Sequence, residues 1–176
     1  MNAVTAVLFD RDGTLVEDVP YNGVPERVRP LAGAREAVAL VRAAGLRTAV
    51  VTNQSGIGRG LVTADQVRRV NDRVDQLFGA FDVWAVCPHA PDAGCTCRKP
   101  RPGLLLEAAD RFGVAPESCV LIGDIGADVE AARAAGAHGV LVPNRVTRRE
   151  EVEAAEHAFP DLLSAVRALR DGKWSR

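Results

Sequence analysis

The feature that most constrains the fold of this chain is a regular alternation of short apolar runs with segments of helical periodicity. Each run is apolar at successive positions, which is typical of a strand that is buried on both faces of a sheet. Five such runs occur along the chain: AVLF (6–9), TAVV (48–51), VWAV (83–86), CVLI (119–122) and GVLV (139–142). The sequence therefore predicts five buried strands.

Helical periodicity fills the intervals between these runs. We predict helices near 33–44, 64–78, 102–112, 126–135 and 160–169. Strands that alternate with helices form parallel sheets with right-handed crossovers, so the sequence predicts an α/β fold with a doubly wound parallel sheet. We expect one domain spanning residues 1–176, with the last residues, DGKWSR, frayed.

Composition limits the classes of partner. Apolar residues make up 47% and charged residues 26% of the chain, which is typical of a soluble globular protein. The net charge of −1 provides no general attraction to nucleic acid or to membranes. We find no apolar stretch long enough for a signal or transmembrane helix. We therefore expect a cytoplasmic monomer that binds a small molecule, and whose cysteines stay reduced.

Polar residues follow the predicted strands, at the edge where parallel sheets bind their ligands. Asp10 and Asp12 come after the first run, Asp124 and Asp128 after the fourth, and Thr52 and Asn53 after the second. The loop after the third run carries Arg98 and Lys99. Only two of the 22 basic residues are lysine, which makes Lys99 unusual in this chain.

Four aspartates at one edge would repel one another, and a divalent cation would offset this repulsion. Carboxylates are typical ligands of Mg²⁺. We expect Asp10 and Asp124 to be direct ligands and Asp128 to be a ligand or to orient a metal-bound water. Asp12 is expected to contribute its backbone carbonyl and to leave its side chain free. The alternative for any one aspartate is a helix cap or a turn.

Four motifs occur in the order of a known family. DRDGT (10–14), VTNQ (51–54), RKP (98–100) and GDIGAD (123–128) resemble the four motifs of the haloacid dehalogenase superfamily. The resemblance implies a Rossmann-like core and phosphoryl-transfer chemistry. The gaps between these motifs are too short for a separate cap domain, so we expect a capless member.

The resemblance also implies a role for each motif residue. It makes Asp10 the nucleophile, and it makes Asp12 the general acid and then the general base. The Thr52 hydroxyl, Asn53 and neighbouring amides would hold the transferring phosphoryl group, and Lys99 would be the motif-three lysine. Mg²⁺ and Lys99 would neutralise the phosphate, which otherwise repels an anionic nucleophile.

A second possible metal site lies in CPHAPDAGCTCRKP, residues 87–100, which we call the cysteine loop. Cys87, His89, Cys95 and Cys97 provide three thiolates and one imidazole, a complete tetrahedral set for Zn²⁺. A full set without an open position indicates a structural ion. The alternative is a loop in which the cysteines are fortuitous.

The cysteine loop resembles one branch of the superfamily. That branch contains the D-glycero-D-manno-heptose 1,7-bisphosphate phosphatases and the histidinol-phosphate phosphatase domain. In both, zinc orders the loop that carries the motif-three lysine. We expect the segment 16–30 to act as a flap that forms one wall of the site.

These patterns favour a Mg²⁺-dependent sugar-phosphate phosphatase that acts through an aspartyl-phosphate. Arg59, in NQSGIGRG (53–60), and Arg98 are candidates to bind a second phosphate, because a guanidinium suits that anion. We therefore expect heptose 1,7-bisphosphate as the substrate. Two alternatives are a histidinol-phosphate phosphatase and a non-enzymatic, zinc-stabilised interaction module.

Overall fold

One parallel sheet forms the centre of the molecule. The computed structural model describes residues 3–172. Its strands are β1 (Ala6–Phe9), β2 (Arg47–Asn53), β3 (Val83–Cys87), β4 (Cys119–Gly123) and β5 (His138–Leu141). They pair in parallel in the order β3-β2-β1-β4-β5. The predicted fold class is confirmed, and each strand lies within two residues of the predicted run.

Helices cover both faces of the sheet. They are α1 (Ala34–Ala43), α2 (Ala64–Phe78), α3 (Gly103–Phe112), α4 (Gly126–Ala135), α5 (Arg149–Ala154) and α6 (Leu162–Arg170). Two short 3₁₀ helices occupy Pro25–Arg27 and Pro116–Ser118. The helix α5 was not predicted, because its sequence REEVEA buries no residue and so shows no apolar periodicity.

Alternate residues of the strands pack against different helices, because successive side chains of a strand point to opposite faces. Val7 and Phe9 of β1 lie in one buried cluster, which includes residues of α1, α2 and α6. Ala6 and Leu8 lie in the other, with residues of α3 and α4. All four are fully buried. The result is a three-layer arrangement in which β1 is buried on both faces.

The strand order reverses beside β1. The chain passes from β1 to β2 and β3 on one side of the sheet, and β4 and β5 lie on the other side. In sheets of this kind, ligands bind beyond the carboxyl ends of the strands at the point of reversal. The first residues after β1 and after β4 are Asp10 and Asp124. The topology therefore brings two of the predicted site residues to the same crevice.

Two further expectations concern the chain's environment and its end. No helix within residues 3–172 is long and apolar enough to cross a membrane. In DGKWSR, Asp171 and Gly172 form a turn after α6. The rest of that segment, 173–176, lies outside the described residues.

Candidate active site

Three carboxylates meet beyond the ends of β1 and β4. Asp10 follows β1, Asp124 follows β4, and Asp128 lies in the first turn of α4. Each offers an oxygen atom, and these oxygens all lie within 4.8 Å of one another. All three residues are buried. We call them the carboxylate cluster, and their oxygen donors are suited to Mg²⁺.

Lys99 reaches into the carboxylate cluster from the cysteine loop. Its Nζ donates to Asp10 Oδ1 and to Asp128 Oδ1, at 2.6 Å in each case, and to the backbone carbonyl of Val51 at 2.9 Å. The lysine is 5% exposed, so water screens these ion pairs little. Three ionised carboxylates and one ammonium have a net charge of −2, which a divalent cation would balance.

The pKa shifts of the cluster reflect the same excess of negative charge. Burial raises the pKa of Asp10 well above its ordinary value, and Asp128, Asp124 and Asp12 raise it further, while Lys99 opposes them. Burial and Asp128 raise the pKa of Asp124 to about 6. Burial lowers the pKa of Lys99, but Asp10 and Asp128 outweigh it and raise the pKa above its ordinary value. The residues fit a bound cation, because it would stabilise the ionised carboxylates.

Two glycines let the carboxylates approach the backbone. Gly13 has a φ of +82°, and a Cβ atom there would overlap the carboxylate of Asp124. A Cβ atom on Gly123 would overlap the side chain of Asp128. Larger residues at these positions would therefore displace two members of the carboxylate cluster.

The side chain of Asp12 lies outside the carboxylate cluster and is held by neighbouring side chains, which the sequence did not indicate. Arg11 donates to its carboxylate from Nε, at 3.1 Å and 3.2 Å, and from Nη2, at 2.9 Å. Gln54 Nε2 donates to Asp12 Oδ2 at 2.8 Å and to Thr52 Oγ1 at 2.9 Å. Arg11 is buried, and its Nη1 is bonded to Asn71 of α2 at 2.7 Å. These donors hold Asp12 in one position.

Asn53 holds the main chain of Lys99. Its Nδ2 donates to the Lys99 carbonyl, and its Oδ1 accepts from the Lys99 N–H, both at 3.1 Å. The side chain of Asn53 is therefore engaged with the protein. Its contribution to phosphate binding stays a prediction, while the structure adds a role in fixing the lysine.

The four predicted zinc ligands converge at the end of β3. Cys87 Sγ lies 3.6 Å from His89 Nδ1 and 3.7 Å from Cys95 Sγ, and His89 Nδ1 lies 3.2 Å from Cys97 Sγ. All four ligand atoms lie within 4.8 Å of one another. Sulfur and nitrogen ligands at the corners of a tetrahedron around Zn²⁺ are about 3.5–3.8 Å apart. The donor set therefore fits this ion.

The thiols of the cysteine loop do not ionise alike. Burial opposes ionisation of Cys95, but the backbone N–H of Arg98 and neighbouring thiols stabilise its thiolate and lower the pKa to about 6. Burial and the sulfurs of Cys87 and Cys95 raise the pKa of Cys97 to about 12. Adjacent thiolates repel one another, and a cation would allow all of them to form.

A cavity of about 370 Å³ opens above the carboxylate cluster. The predicted flap forms part of its wall, through Asp18, Val19, Pro20 and Tyr21. Its other lining residues include Asp10, Asp12, Thr52, Asn53, Gln54, Arg98, Lys99, Asp124 and Asp128. The structure therefore brings all but one of the predicted catalytic, magnesium-binding and substrate-binding residues to a single cavity.

The two arginines predicted to bind a second phosphate differ in position. Arg98 lines the cavity, and its Nη1 is buried with no hydrogen-bond partner among the described residues. Arg59 is exposed and is not among the lining residues. Its Nη1 donates to the hydroxyl of Tyr21 at 2.9 Å, and its guanidinium lies 5.7 Å from the centre of that ring. Arg59 thus contacts the rim of the cavity through Tyr21.

Three residues that hold the site were not identified from the sequence. Arg11 and Gln54 lie inside the quoted motifs, so their position was a signal that could have identified them. Asn144 lies in the loop after β5, where its Nδ2 donates to Asp124 Oδ2 at 2.7 Å. Its position after a strand was the only sequence signal, and no motif includes it.

Comparison with known proteins identifies the family. A family model described as HAD-hydrolase-like matches residues 96–169. A D-glycero-beta-D-manno-heptose-1,7-bisphosphate 7-phosphatase of Pseudomonas putida is 37% identical over 93% of this chain and 98% of its own length. The protein of the same name from Pseudomonas aeruginosa is 36% identical over 93% of this chain and 96% of its own length. The chain belongs to this family of HAD-like phosphatases.

Solved structures agree with this assignment of the HAD-like phosphatase fold. The crystal structure of D,D-heptose 1,7-bisphosphate phosphatase from B. bronchiseptica superposes with a TM-score of 0.85 and 29% identity, covering 96% of this chain and 99% of that one. That structure was determined in complex with magnesium and phosphate. The predicted superfamily and its phosphatase branch are therefore confirmed.

Proposed function

We propose that this phosphatase removes one phosphate from D-glycero-β-D-manno-heptose 1,7-bisphosphate in a Mg²⁺-dependent reaction. The observation that carries the proposal is the buried carboxylate cluster with Lys99, open to a cavity of about 370 Å³. The names of the relatives support this substrate over histidinol phosphate. The complete set of catalytic side chains argues against a non-enzymatic interaction module.

Asp10, Asp124 and Asp128 would hold the Mg²⁺ ion, together with the backbone carbonyl of Asp12. The bound ion would offset the charge of the phosphate that reacts. Lys99, bonded to Asp10 and Asp128, is placed to neutralise the same anion from the protein side. The Thr52 hydroxyl and the backbone near Asn53 would hold the remaining phosphate oxygens.

In the first step, an oxygen of the Asp10 carboxylate attacks phosphorus. A bond forms between that oxygen and phosphorus, and the ester bond to the sugar oxygen breaks, which leaves an aspartyl-phosphate. Asp12 donates a proton to the departing alkoxide. Arg11 and Gln54 hold the Asp12 carboxylate, so its position is defined before the substrate binds.

In the second step, water hydrolyses the aspartyl-phosphate. Asp12, now ionised, takes a proton from the water that attacks phosphorus. The bond between Asp10 and phosphorus breaks, and inorganic phosphate and the free Asp10 carboxylate are the products. One side chain thus serves both steps, which explains why its carboxylate is kept at the edge of the cavity and outside the carboxylate cluster.

Arg98 is our candidate for the phosphate that is not hydrolysed. Arg98 lines the cavity, and its Nη1 is buried without a hydrogen-bond partner among residues 3–172. A buried unpaired donor is costly, and a bound anion would remove that cost. Arg59 would act at the rim, where it is bonded to Tyr21.

The cysteine loop would bind one structural Zn²⁺ through Cys87, His89, Cys95 and Cys97. The ion would order the backbone up to Lys99, which is two residues beyond Cys97. Thiolate ligands require reduced cysteines, and this supports the prediction of a reducing compartment such as the cytoplasm. We also propose that residues 1–176 act as one domain and one monomer.

The test compares D-glycero-β-D-manno-heptose 1,7-bisphosphate, histidinol phosphate and p-nitrophenyl phosphate, each with and without Mg²⁺. We expect Mg²⁺-dependent release of one phosphate and the highest kcat/KM for the bisphosphate. A higher kcat/KM for histidinol phosphate would reject the substrate, and no turnover of any ester would reject the activity.

With Asp12→Asn we expect turnover to fall about 10²–10⁴-fold, and mass spectrometry of acid-quenched protein to detect phosphorylated Asp10.

A further inference from the structure

Side chains of the loop after β5 donate hydrogen bonds to both the side chain and the main chain of Asp124. Asn144 Nδ2 donates to Asp124 Oδ2 at 2.7 Å and to the Gly13 carbonyl at 3.3 Å. The Thr147 hydroxyl donates to the Asp124 carbonyl at 2.6 Å. Thr147 Oγ1 also accepts from the Asn144 N–H at 2.8 Å, so the two contacts belong to one closed network.

The orientation of the Asn144 amide follows from its neighbours. The backbone N–H of Val146 donates to Asn144 Oδ1 at 3.0 Å. Since a backbone N–H can only donate, the amide oxygen must face Val146 and the NH₂ group must face Asp124. The contact with Asp124 Oδ2 is therefore a donated hydrogen bond, which engages that oxygen.

Each member of the carboxylate cluster has at least one oxygen bonded to a protein donor. Lys99 engages Oδ1 of Asp10 and Oδ1 of Asp128, and Asn144 engages Oδ2 of Asp124. Asp128 Oδ2 also accepts from the Ile125 N–H at 3.3 Å. Mg²⁺ is small and octahedral, and it is usually bound through one or two carboxylates together with water. Ca²⁺ is larger, takes six to eight oxygens and often binds both oxygens of a carboxylate. These hydrogen bonds hinder binding of a cation through both oxygens of one carboxylate, and they therefore favour the smaller ion.

We propose that Asn144 is a positioning residue that leaves Asp124 a single oxygen for the cation and so favours Mg²⁺ over Ca²⁺. The inference rests on the proposed function, because it concerns the cation of that site. Lys99 likewise engages one oxygen of Asp10 and one of Asp128, but it also serves catalysis. Asn144 lies outside all four motifs, so its effect on the cation can be measured separately from the chemistry.

The experiment measures the Kd of Mg²⁺ alone and of Ca²⁺ alone by calorimetry, without substrate. We expect Asn144→Ala to weaken Mg²⁺ binding about 10- to 100-fold, as is typical when a residue that orients a metal ligand is removed. Ca²⁺ binding should weaken less, so that the preference for Mg²⁺ falls about tenfold. Arg145→Ala changes the exposed neighbour in the same loop and should leave both Kd values unchanged.

A second pair of variants tests the same network. Thr147→Val removes the hydroxyl and should weaken Mg²⁺ binding, whereas Thr147→Ser keeps it and should bind as the wild type does. Melting temperatures without metal show which variants are folded, and Asn144→Ser replaces Asn144→Ala if the latter is not. An unchanged Mg²⁺ to Ca²⁺ preference in the folded Asn144 variant would overturn the inference. Absence of Mg²⁺ binding by the wild type would instead reject the proposed function.

Discussion

The carboxylate cluster and the cysteine loop both lie beyond the ends of strands, but they are assembled in different ways. The four candidate zinc ligands fall within eleven residues of sequence, from Cys87 to Cys97. The carboxylate cluster joins segments that start at Asp10 and end at Asp128, and Lys99 completes it from a third segment. The first site is local in sequence, whereas the second exists only after the sheet has formed.

The two sites also differ in how the protein balances their charge. In the carboxylate cluster, Lys99 offsets part of the negative charge, and the sheet and α4 hold the ligands in place. The cysteine loop contains no such cation among its four candidate ligands, and we expect its order to depend on a bound metal. The sites meet at the Cys97–Lys99 segment. We therefore expect substitutions in the carboxylate cluster to abolish activity. Substitutions in the cysteine loop should only lower activity, because they act through the position of Lys99.

The largest effect is expected for Asp10→Asn. The change removes the proposed nucleophile and a proposed cation ligand while keeping the side chain's shape, so kcat should fall by more than about 10⁴-fold. The melting temperature should not fall, because one of the repelling charges is gone. Zinc content should match that of the wild type. Activity within tenfold of the wild type would show that Asp10 is not the nucleophile.

A smaller effect is expected when the cysteine loop is changed so that it cannot bind the proposed zinc ion. Metal analysis should find one zinc per wild-type chain and none in Cys97→Ser. The variant's kcat/KM should fall about 10- to 100-fold, because the backbone that carries Lys99 is less well held.

Cys119→Ala is the matched control for this change. Cys119 is buried in β4 and lies outside the cysteine loop, so the variant should keep both its zinc and its activity. Less than a tenth of an equivalent of zinc in folded, active wild-type protein would contradict the structural role of the loop.

The smallest effects separate the two arginines. Arg98→Ala should raise KM for the bisphosphate about tenfold or more, since a hydrogen bond to a charged group contributes about 1.5–3 kcal/mol. KM for p-nitrophenyl phosphate, which has no second phosphate, should change little. Arg59→Ala should raise KM for the bisphosphate less, because Arg59 contacts the rim through Tyr21. A larger effect of Arg59→Ala than of Arg98→Ala would reverse the assignment.

Much of the fold could be predicted because strands and long helices carry periodic apolar patterns. The run AVLF corresponds to β1 at both ends, and the predicted helix 64–78 matches α2. The helix α5 has no buried face, so no pattern indicated it. The flap was expected to form a wall, and Tyr21 within it lines the cavity.

Within the candidate site, all but one of the predicted catalytic, magnesium-binding and substrate-binding residues line one cavity, but the sequence did not indicate the partners of their side chains. The spacing of Asp10 and Asp12 correctly indicated two carboxylates near one place. It did not indicate that Arg11, which is almost fully buried, would hold Asp12. It also did not indicate that Asn144 would bond to Asp124.

The sequence by itself determined the parallel α/β arrangement and the set of candidate zinc ligands. The sequence could determine them because apolar periodicity and ligand spacing are local patterns, which span a few residues and depend little on the rest of the chain. Only the tertiary structure decided that Lys99 lies between Asp10 and Asp128, and that Arg98 lines the cavity while Arg59 does not. Such pairings depend on the strand order and on the direction of each side chain, and distant segments acquire both only when the sheet packs against its helices.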